Sequence, residues 1–320
     1  MLNDLVSIII VSYNTREYLR SCLQSIGGSD ISVPYEVIVV DNNSRDGSPD
    51  MVSEEFPFVR LIRNSENKGF GAANNIGMRA ARGSFFFLLN SDAELKQGAV
   101  ENLVKAMKAR ARCGMVGPMV TYQSGEIQYT FGPDITLPII AQRLFSFLVP
   151  RVLFSKLRAR RGRKLNERSG AVQVDCLCAP ALLVSKRLVE DVGGFDEKLF
   201  LYVEDAEWCR RARKRGWRLW YAPEVSVLHH EGASSGGSRN QLSVHAMKGM
   251  LYYYGKHNGA AELFLLRALL AWAGVLRVGL GLYERLSRSA EDDDSNLVYG
   301  KKLLQISCVP FNRLARLGTR

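Results

Sequence analysis

The chain has 320 residues, of which 47% are hydrophobic and 9% aromatic. That supplies enough apolar material for one large α/β domain with an appendage, or for two domains, and it excludes the disordered and fibrous classes. The net charge of +11 is concentrated, because residues 135–166 hold eight Lys or Arg and no acid, so the positive field is a local device with anionic membrane or nucleic acid as its candidate partners.

Val6 to Val11 is a β-branched run, the pattern of a strand buried on both faces of a parallel sheet. In Ser12-Tyr13-Asn14-Thr15, Asn14 or Thr15 can cap a helix over 16–26 that ends at Gly27-Gly28. Glu36 to Val40 reads as a second buried strand closed by Asp41-Asn42-Asn43-Ser44. A helix over about 49–55 leads to a strand over 59–63, and Gly69 to Ala81 reads as a small-residue helix. A fourth strand over 84–89 ends in Asn90-Ser91-Asp92. Strands alternating with helices predict βαβ units whose ligands sit at the strand carboxyl ends, and Asp41 and Asp92 both lie at such ends.

After a helix near 96–110, shorter strands are expected over 114–121 and 126–131, followed by the basic insert. A strand over 172–178 resumes the domain, and Ser185 can cap a short helix to about Val192. The Gly193-Gly194-Phe195-Asp196-Glu197 turn precedes a helix that opens at Glu204-Asp205 and ends at Arg215-Gly216. Strands over 217–221 and 225–228 then lead into His229-His230.

Each cluster has a plain reading beside a chemical one. Asp41 to Ser44 is an ordinary polar turn that can also hold a nucleobase or ribose. Lys68-Gly69 at a helix start suits phosphate, although helix packing explains the small residues equally. Asn90-Ser91-Asp92 offers one carboxylate and one amide, a site for Mg2+ or Mn2+ that takes most of its ligands from a substrate diphosphate. His229 or His230 can add an imidazole. Glu204 and Asp205 are first-turn acids favoured by the helix dipole, and a carboxylate held there is also what a general base requires. No G-x-x-x-x-G-K-[ST], G-x-S-x-G or zinc spacing occurs, which leaves P-loop hydrolysis, serine hydrolase chemistry and zinc catalysis unsupported.

Taken in order, Val-Ser-Tyr-Asn at 11–14, Val-Asp-Asn-Asn-Ser at 40–44, Glu-Asn-Lys-Gly-Phe-Gly-Ala-Ala-Asn-Asn at 66–75, Leu-Asn-Ser-Asp at 89–92, Gly-Gly-Phe-Asp-Glu at 193–197, Glu-Asp at 204–205 and His229 form a recognisable series. The series resembles the family 2 inverting glycosyltransferases of the GT-A fold, most closely their bacterial rhamnosyltransferase-like branch, over roughly residues 5–235. The resemblance implies an α/β GT-A architecture, a Rossmann-like mixed sheet flanked by helices. Residues 1–235 would form the transferase domain with an insert at 133–170, and 236–320 a helical, membrane-associating extension. It implies that Asp41 contacts the nucleobase, with Ser12, Asn14 and Asn43 lining the same pocket. Lys68, Gly69 and Asn74 would lie near ribose and phosphate, and Asn90 and Ser91 beside the donor. Asp92 is similar to the last acid of the family's D-x-D motif. His229 looks like the second metal residue, with His230 as the competing register. Asp205 looks like the catalytic base, supported by Glu204. One departure is Asn90, where many relatives carry Asp, since an amide oxygen is a weaker ligand for a hard cation. The Gln-x-x-Arg-Trp motif of processive members is absent, which favours transfer of one sugar per encounter. The implied donor is a dTDP-rhamnose-like sugar, with UDP- and GDP-sugars behind it, and the implied acceptor is a hydroxyl of a lipid-linked glycan in cell-surface polysaccharide synthesis.

Two rival classes fit the sequence less well. A sugar-phosphate nucleotidyltransferase needs a basic Gly-rich loop after the first strand, where this chain has Ser12-Tyr13-Asn14-Thr15. A catalytically dead binding module is opposed by retention of both Asp92 and Asp205.

The basic insert alternates apolar clusters with cations, the composition of a segment lying on anionic lipid. Without a stacking platform or a recognised fold beside it, nucleic acid is not expected as a partner. Leu263 to Tyr283 is apolar but carries Arg267 and Arg277, so an amphipathic helix on the membrane surface or packed on the domain is expected, not a span. Six scattered cysteines and a strand that begins directly after Met1-Leu2-Asn3-Asp4 point to a reducing cytoplasm without a leader. The expected location is therefore peripheral, on the inner face of the cell membrane.

Overall fold

The computed structural model describes residues 4–148, 170–178, 180–230, 244–287 and 295–314. The chain divides into two compact units. The first comprises Met1–Asp134, Arg161–Phe200 and Glu204–Arg239, and the second Ile135–Arg160, Leu201–Val203 and Asn240–Arg320.

The first unit is built on a mixed sheet. Strands β1 (Val6–Ser12), β2 (Tyr35–Asp41), β3 (Val59–Arg63) and β4 (Phe85–Asn90) are parallel in the order β3-β2-β1-β4. The central residues of β1, β2 and β4 are buried on both faces, as helices on either side require, while the edge strand β3 is only half-buried. Helices α1 (Arg16–Gly27), α2 (Ser48–Glu55), α3 (Phe70–Ala80) and α4 (Ala99–Lys108) supply the crossovers and flanks. The sheet continues through β11 (Ala181–Ser185), which runs antiparallel to β4 and to β6 (Cys113–Thr121). Beyond β6 lies β12 (Arg218–His229), parallel to it. Two successive reversals restore the direction, so β1, β2, β4 and β12 all end on one edge of the sheet.

Several expectations require correction. The two strands expected at 217–221 and 225–228 form one strand, β12, with a register shift between Ala222 and Ser226. A bulge accommodates the intervening Pro223, which has no N–H to donate to a ladder. The strand expected over 126–131 is two short pieces, β7 (Ile127–Gln128) and β8 (Phe131–Gly132). β7 pairs with β6, and β8 pairs with β10 (Cys176–Leu177) in a separate two-stranded sheet. A strand not expected at all, β5 (Ala93–Leu95), pairs antiparallel with β12. The strand expected over 172–178 divides into β9 (Val172–Val174) and β10. Thr15 stands at the N-cap of α1 without capping it through its side chain. Asp46 does so from the next loop, its Oδ2 accepting from Arg16 N at 2.8 Å. Ser185 likewise precedes α6 (Lys186–Val192) without a side-chain cap.

In the second unit, α8 (Val244–His257), α9 (Ala260–Ser287), α10 (Ser295–Ser307) and α11 (Phe311–Leu314) form a helical assembly with α5 (Leu137–Leu144). α9 is longer than the apolar segment expected over 263–283: it runs over Ala260–Ser287, its most apolar 18-residue stretch has a mean hydropathy of 1.8, and by length and composition it could cross a membrane. One face packs on α10 and buries Leu266, Leu270, Ala273 and Arg277. Phe264, Trp272, Val275, Leu282 and Leu286 stand exposed on the other, at intervals of three, four, seven or eight that keep them on one helical face. Most of the basic insert, residues 149–169, lies outside the described residues.

Candidate active site

The carboxyl edge of the sheet gathers most of the residues singled out above. Ser12 ends β1 opposite Asp41 at the end of β2, and Asn90 ends β4 opposite Val11. Ser12 Oγ and Thr15 Oγ1 are 3.1 Å apart, and Thr15 Oγ1 donates to Ser91 Oγ at 2.9 Å. This buried hydroxyl chain explains why Thr15 does not cap its helix. Asn14, at φ 53°, donates its N–H to Ser44 Oγ and accepts from Arg45 N through Oδ1. Asn43 is also left-handed, at φ 68°. Both conformations suit Asn better than most residues. Asp41 is buried; its Oδ2 accepts from Ser44 N at 3.0 Å, and its Oδ1 has no partner among the described residues.

Asn42, expected from sequence only in a polar turn, fastens this edge to the next loop. Its Oδ1 accepts from Asn64 Nδ2 and Lys68 N, while its Nδ2 donates to Asn67 Oδ1 and Gly69 O. The density of Asn at 42, 64 and 67 was the available signal. Lys68 Nζ pairs with Glu66 Oε1 at 3.1 Å. Asn74 is buried and donates to Phe70 O within its own helix. Gly69 has φ +84°, and a Cβ there would lie 2.5 Å from Phe200 O. Phe70 N donates to that same carbonyl at 3.1 Å, so the loop before α3 abuts the segment leading to Glu204.

The third cluster forms because β5 pairs Ala93 with His229. Asp92 Oδ1 and His229 Nε2 are 3.0 Å apart, both buried. Asn90 Nδ2 lies 3.4 Å from the same nitrogen, and Asn90 Oδ1 is buried without a partner among the described residues. His230 is turned away, its Nε2 2.8 Å from Glu94 Oε1. Adjacent ligands of an octahedral ion at about 2.1 Å lie about 3.0 Å apart, so the Asp92 carboxylate and the His229 imidazole have the spacing of two ligands of one divalent cation.

Glu204 and Asp205 open α7 (Glu204–Lys214). Immediately before them, Tyr202 and Val203 have φ of 68° and 70°, strained values that are unusual for a β-branched residue. Glu204 is buried; burial and then the charge of Asp205 push its carboxyl well above the usual carboxylate range. Asp205 remains half-buried. The helix is bracketed to the Gly193-Gly194 turn by residues that carried no sequence signal of their own. Trp208 Nε1 donates to Gly193 O at 2.8 Å, and Arg211 donates to Val192 O and Gly194 O while paired with the fully buried Glu207 at 2.8 Å. Asn75 joins the same turn to α3 through Phe195 N, Phe195 O and Glu197 Oε1. A Cβ at Gly194 would sit 2.2 Å from Asn75 Oδ1, so only glycine permits that approach.

A family model described as glycosyl transferase family 2 matches residues 7–193. An N-acetylglucosaminyl-diphospho-decaprenol L-rhamnosyltransferase of Mycobacterium tuberculosis is 27% identical over 299 residues, covering 89% of this chain and 93% of that protein. Glycosyltransferase AglE of Haloferax volcanii is 28% identical over 228 residues, covering 70% and 66%. Among solved structures, GalNAc-T7 with UDP, GalNAc and Mn2+ aligns at a TM-score of 0.57 and 14% identity, over 97% of this chain but 56% of that one. The mannosyltransferase PcManGT of Pyrobaculum calidifontis, in complex with GDP-Man and Mn2+, aligns at 0.53 and 18% identity over 98% and 83%.

Proposed function

Because this chain belongs to glycosyl transferase family 2, a family of hexose-transferring enzymes whose GT-A fold it shares, we propose that it moves one sugar, with inversion, from a nucleoside diphosphate donor to a hydroxyl of a lipid-linked glycan. The rhamnosyltransferase relative, named for a diphospho-decaprenol substrate, supports a dTDP-rhamnose-like donor and a polyprenyl-linked acceptor. The observation that carries the reading is the Asn90–Asp92–His229 cluster on the strand edge that also bears Ser12 and Asp41.

Asp41 Oδ1, buried and open to a donor, suits an N–H of the nucleobase. Ser12, Asn14 and Asn43 shape that pocket, and the Lys68-Gly69 loop flanks ribose and phosphate. Asp92 and His229 would hold Mg2+ or Mn2+, with the substrate diphosphate supplying further ligands; when bound, such an ion would neutralise charge developing on the leaving diphosphate. Asp205, at the positive end of α7, takes the proton from the acceptor hydroxyl as its oxygen attacks the anomeric carbon. Single displacement from the opposite face inverts that carbon. Glu204, held toward its protonated form, adds no second charge to repel the nucleoside diphosphate.

The exposed apolar stripe of α9 supports seating on a membrane surface, where a polyprenyl carrier resides. Asp205→Asn should lower kcat by about 10²- to 10⁴-fold while donor KM and melting temperature stay near wild type. Near wild-type turnover by a folded D205N protein would remove Asp205 from the role of base.

A further inference from the structure

The cation cluster has a fourth neighbour. Gln128, on β7, sets its Oε1 2.8 Å from His229 Nδ1. It is carried there by register: Val120 of β6 pairs with Gln128 on one side and with Val227 of β12 on the other, and Thr121 with Ile127 and Leu228. Gln128 thus reaches His229 across one strand, from a hairpin closed by the hydrogen bond of Tyr122 N to Glu126 O at 2.8 Å.

A neutral imidazole has one donating and one accepting nitrogen. The amide oxygen of Gln128 at Nδ1 requires a donor there. The amide nitrogen of Asn90 at Nε2, 3.4 Å away, requires an acceptor there. Gln128 thus calls for hydrogen on Nδ1, while at Nε2 the Asp92 carboxylate, 3.0 Å away, calls for a hydrogen and the Asn90 amide nitrogen for a lone pair. A cation shared by Asp92 Oδ1 and Nε2 removes that conflict, because both then present lone pairs to it. Turned end for end, the Gln128 amide would put its NH2 at Nδ1, move the hydrogen to Nε2 and close the ring against Asp92.

We propose that Gln128 is a positioning residue that holds His229 in the Nδ1–H form and so keeps Nε2 open to the divalent cation. The proposal rests on the reading of Asp92 and His229 as the cation site. Ligating histidines commonly donate their second N–H to an oxygen in this manner, and loss of that oxygen typically weakens metal binding by about 10- to 100-fold.

The test is titration of the full chain with Mn2+ alone, followed by the electron paramagnetic resonance signal of the free ion, together with ¹⁵N NMR of the imidazoles. Gln128→Leu should raise the Mn2+ Kd about 10- to 100-fold and shift His229 toward the Nε2–H signature. Gln128→Glu, which keeps an acceptor at Nδ1, should hold both near wild type. If Gln128→Leu binds Mn2+ with an unchanged Kd while His229→Ala does not, Gln128 has no positioning role and the proposal fails by itself. If His229→Ala also binds as wild type, the cation site lies elsewhere and both readings fail. A wild-type His229 without hydrogen on Nδ1 refutes the proposal without any variant.

Discussion

Arg211→Met probes the bracket that holds the α7 helix. The guanidinium pairs with Glu207, which is fully buried in the helix interior, and donates to the carbonyls of Val192 and Gly194. Methionine keeps most of the aliphatic volume and removes all of these contacts. Breaking a buried pair from one side costs about 3–5 kcal/mol, because the remaining carboxylate is stripped of its counter-charge in an apolar setting. For a unit of this size each kcal/mol lowers the melting temperature by about 2–4 °C, so a fall of about 6–20 °C is expected. Scanning calorimetry and urea unfolding of wild type, Arg211→Met and the double variant Glu207→Leu/Arg211→Met measure it. The double variant should recover much of the loss, since an apolar replacement of both partners leaves no charge buried. Turnover of Arg211→Met at a temperature where it is folded should fall as well, because the Gly193-Gly194 turn no longer registers the helix whose first turn carries Asp205. A loss under about 1 kcal/mol, the scale of an exposed ion pair, would falsify the bracket as a source of stability.

Other perturbations address the remaining parts. Gly69→Ala forces a Cβ to within 2.5 Å of Phe200 O at φ +84°; a stability loss of about 1–3 kcal/mol and a drop in kcat/KM should appear together in unfolding and transfer assays. Glu204 carries a carboxyl raised in the folded state, so folding favours its protonated form. That contribution is full below the unfolded value of about 4.3 and is lost as pH rises toward the folded value. Glu204→Gln should therefore gain stability relative to wild type as pH rises from about 4 to 8, and a difference independent of pH would count against the burial argument. Trp272→Glu, on the exposed face of α9, should reduce co-flotation with anionic liposomes several-fold without changing the melting temperature; unchanged flotation would remove α9 from the membrane reading.

Much of the first unit was legible because its signals are local. Continuous β-branched runs mark strands buried on both faces, and Asp41 and Asn90-Ser91-Asp92 announce themselves by following such runs directly. Glu204-Asp205 is legible for the same reason, as acids at the start of an apolar-periodic segment. The family resemblance assembled these local signals into an ordered series, and the match over residues 7–193 bears out the family.

What no local pattern contains is which residue of an adjacent pair faces which neighbour. His229 meets Asp92, and His230 meets Glu94, because three residues of β5 pair with β12 in a register that places Ala93 opposite His229. A shift of one residue would exchange the two rings, since alternate side chains leave opposite faces of a strand. Asn42, Asn75, Gln128 and Arg211 were invisible as functional residues for the same reason: the partners that matter lie between 17 and 122 residues away in sequence. Sequence alone determined the parts, the strand ends with their polar tips and the acid pair at a helix start. Only the tertiary structure decided their pairing, because hydrogen-bond geometry and burial are properties of register across strands that composition and periodicity do not encode.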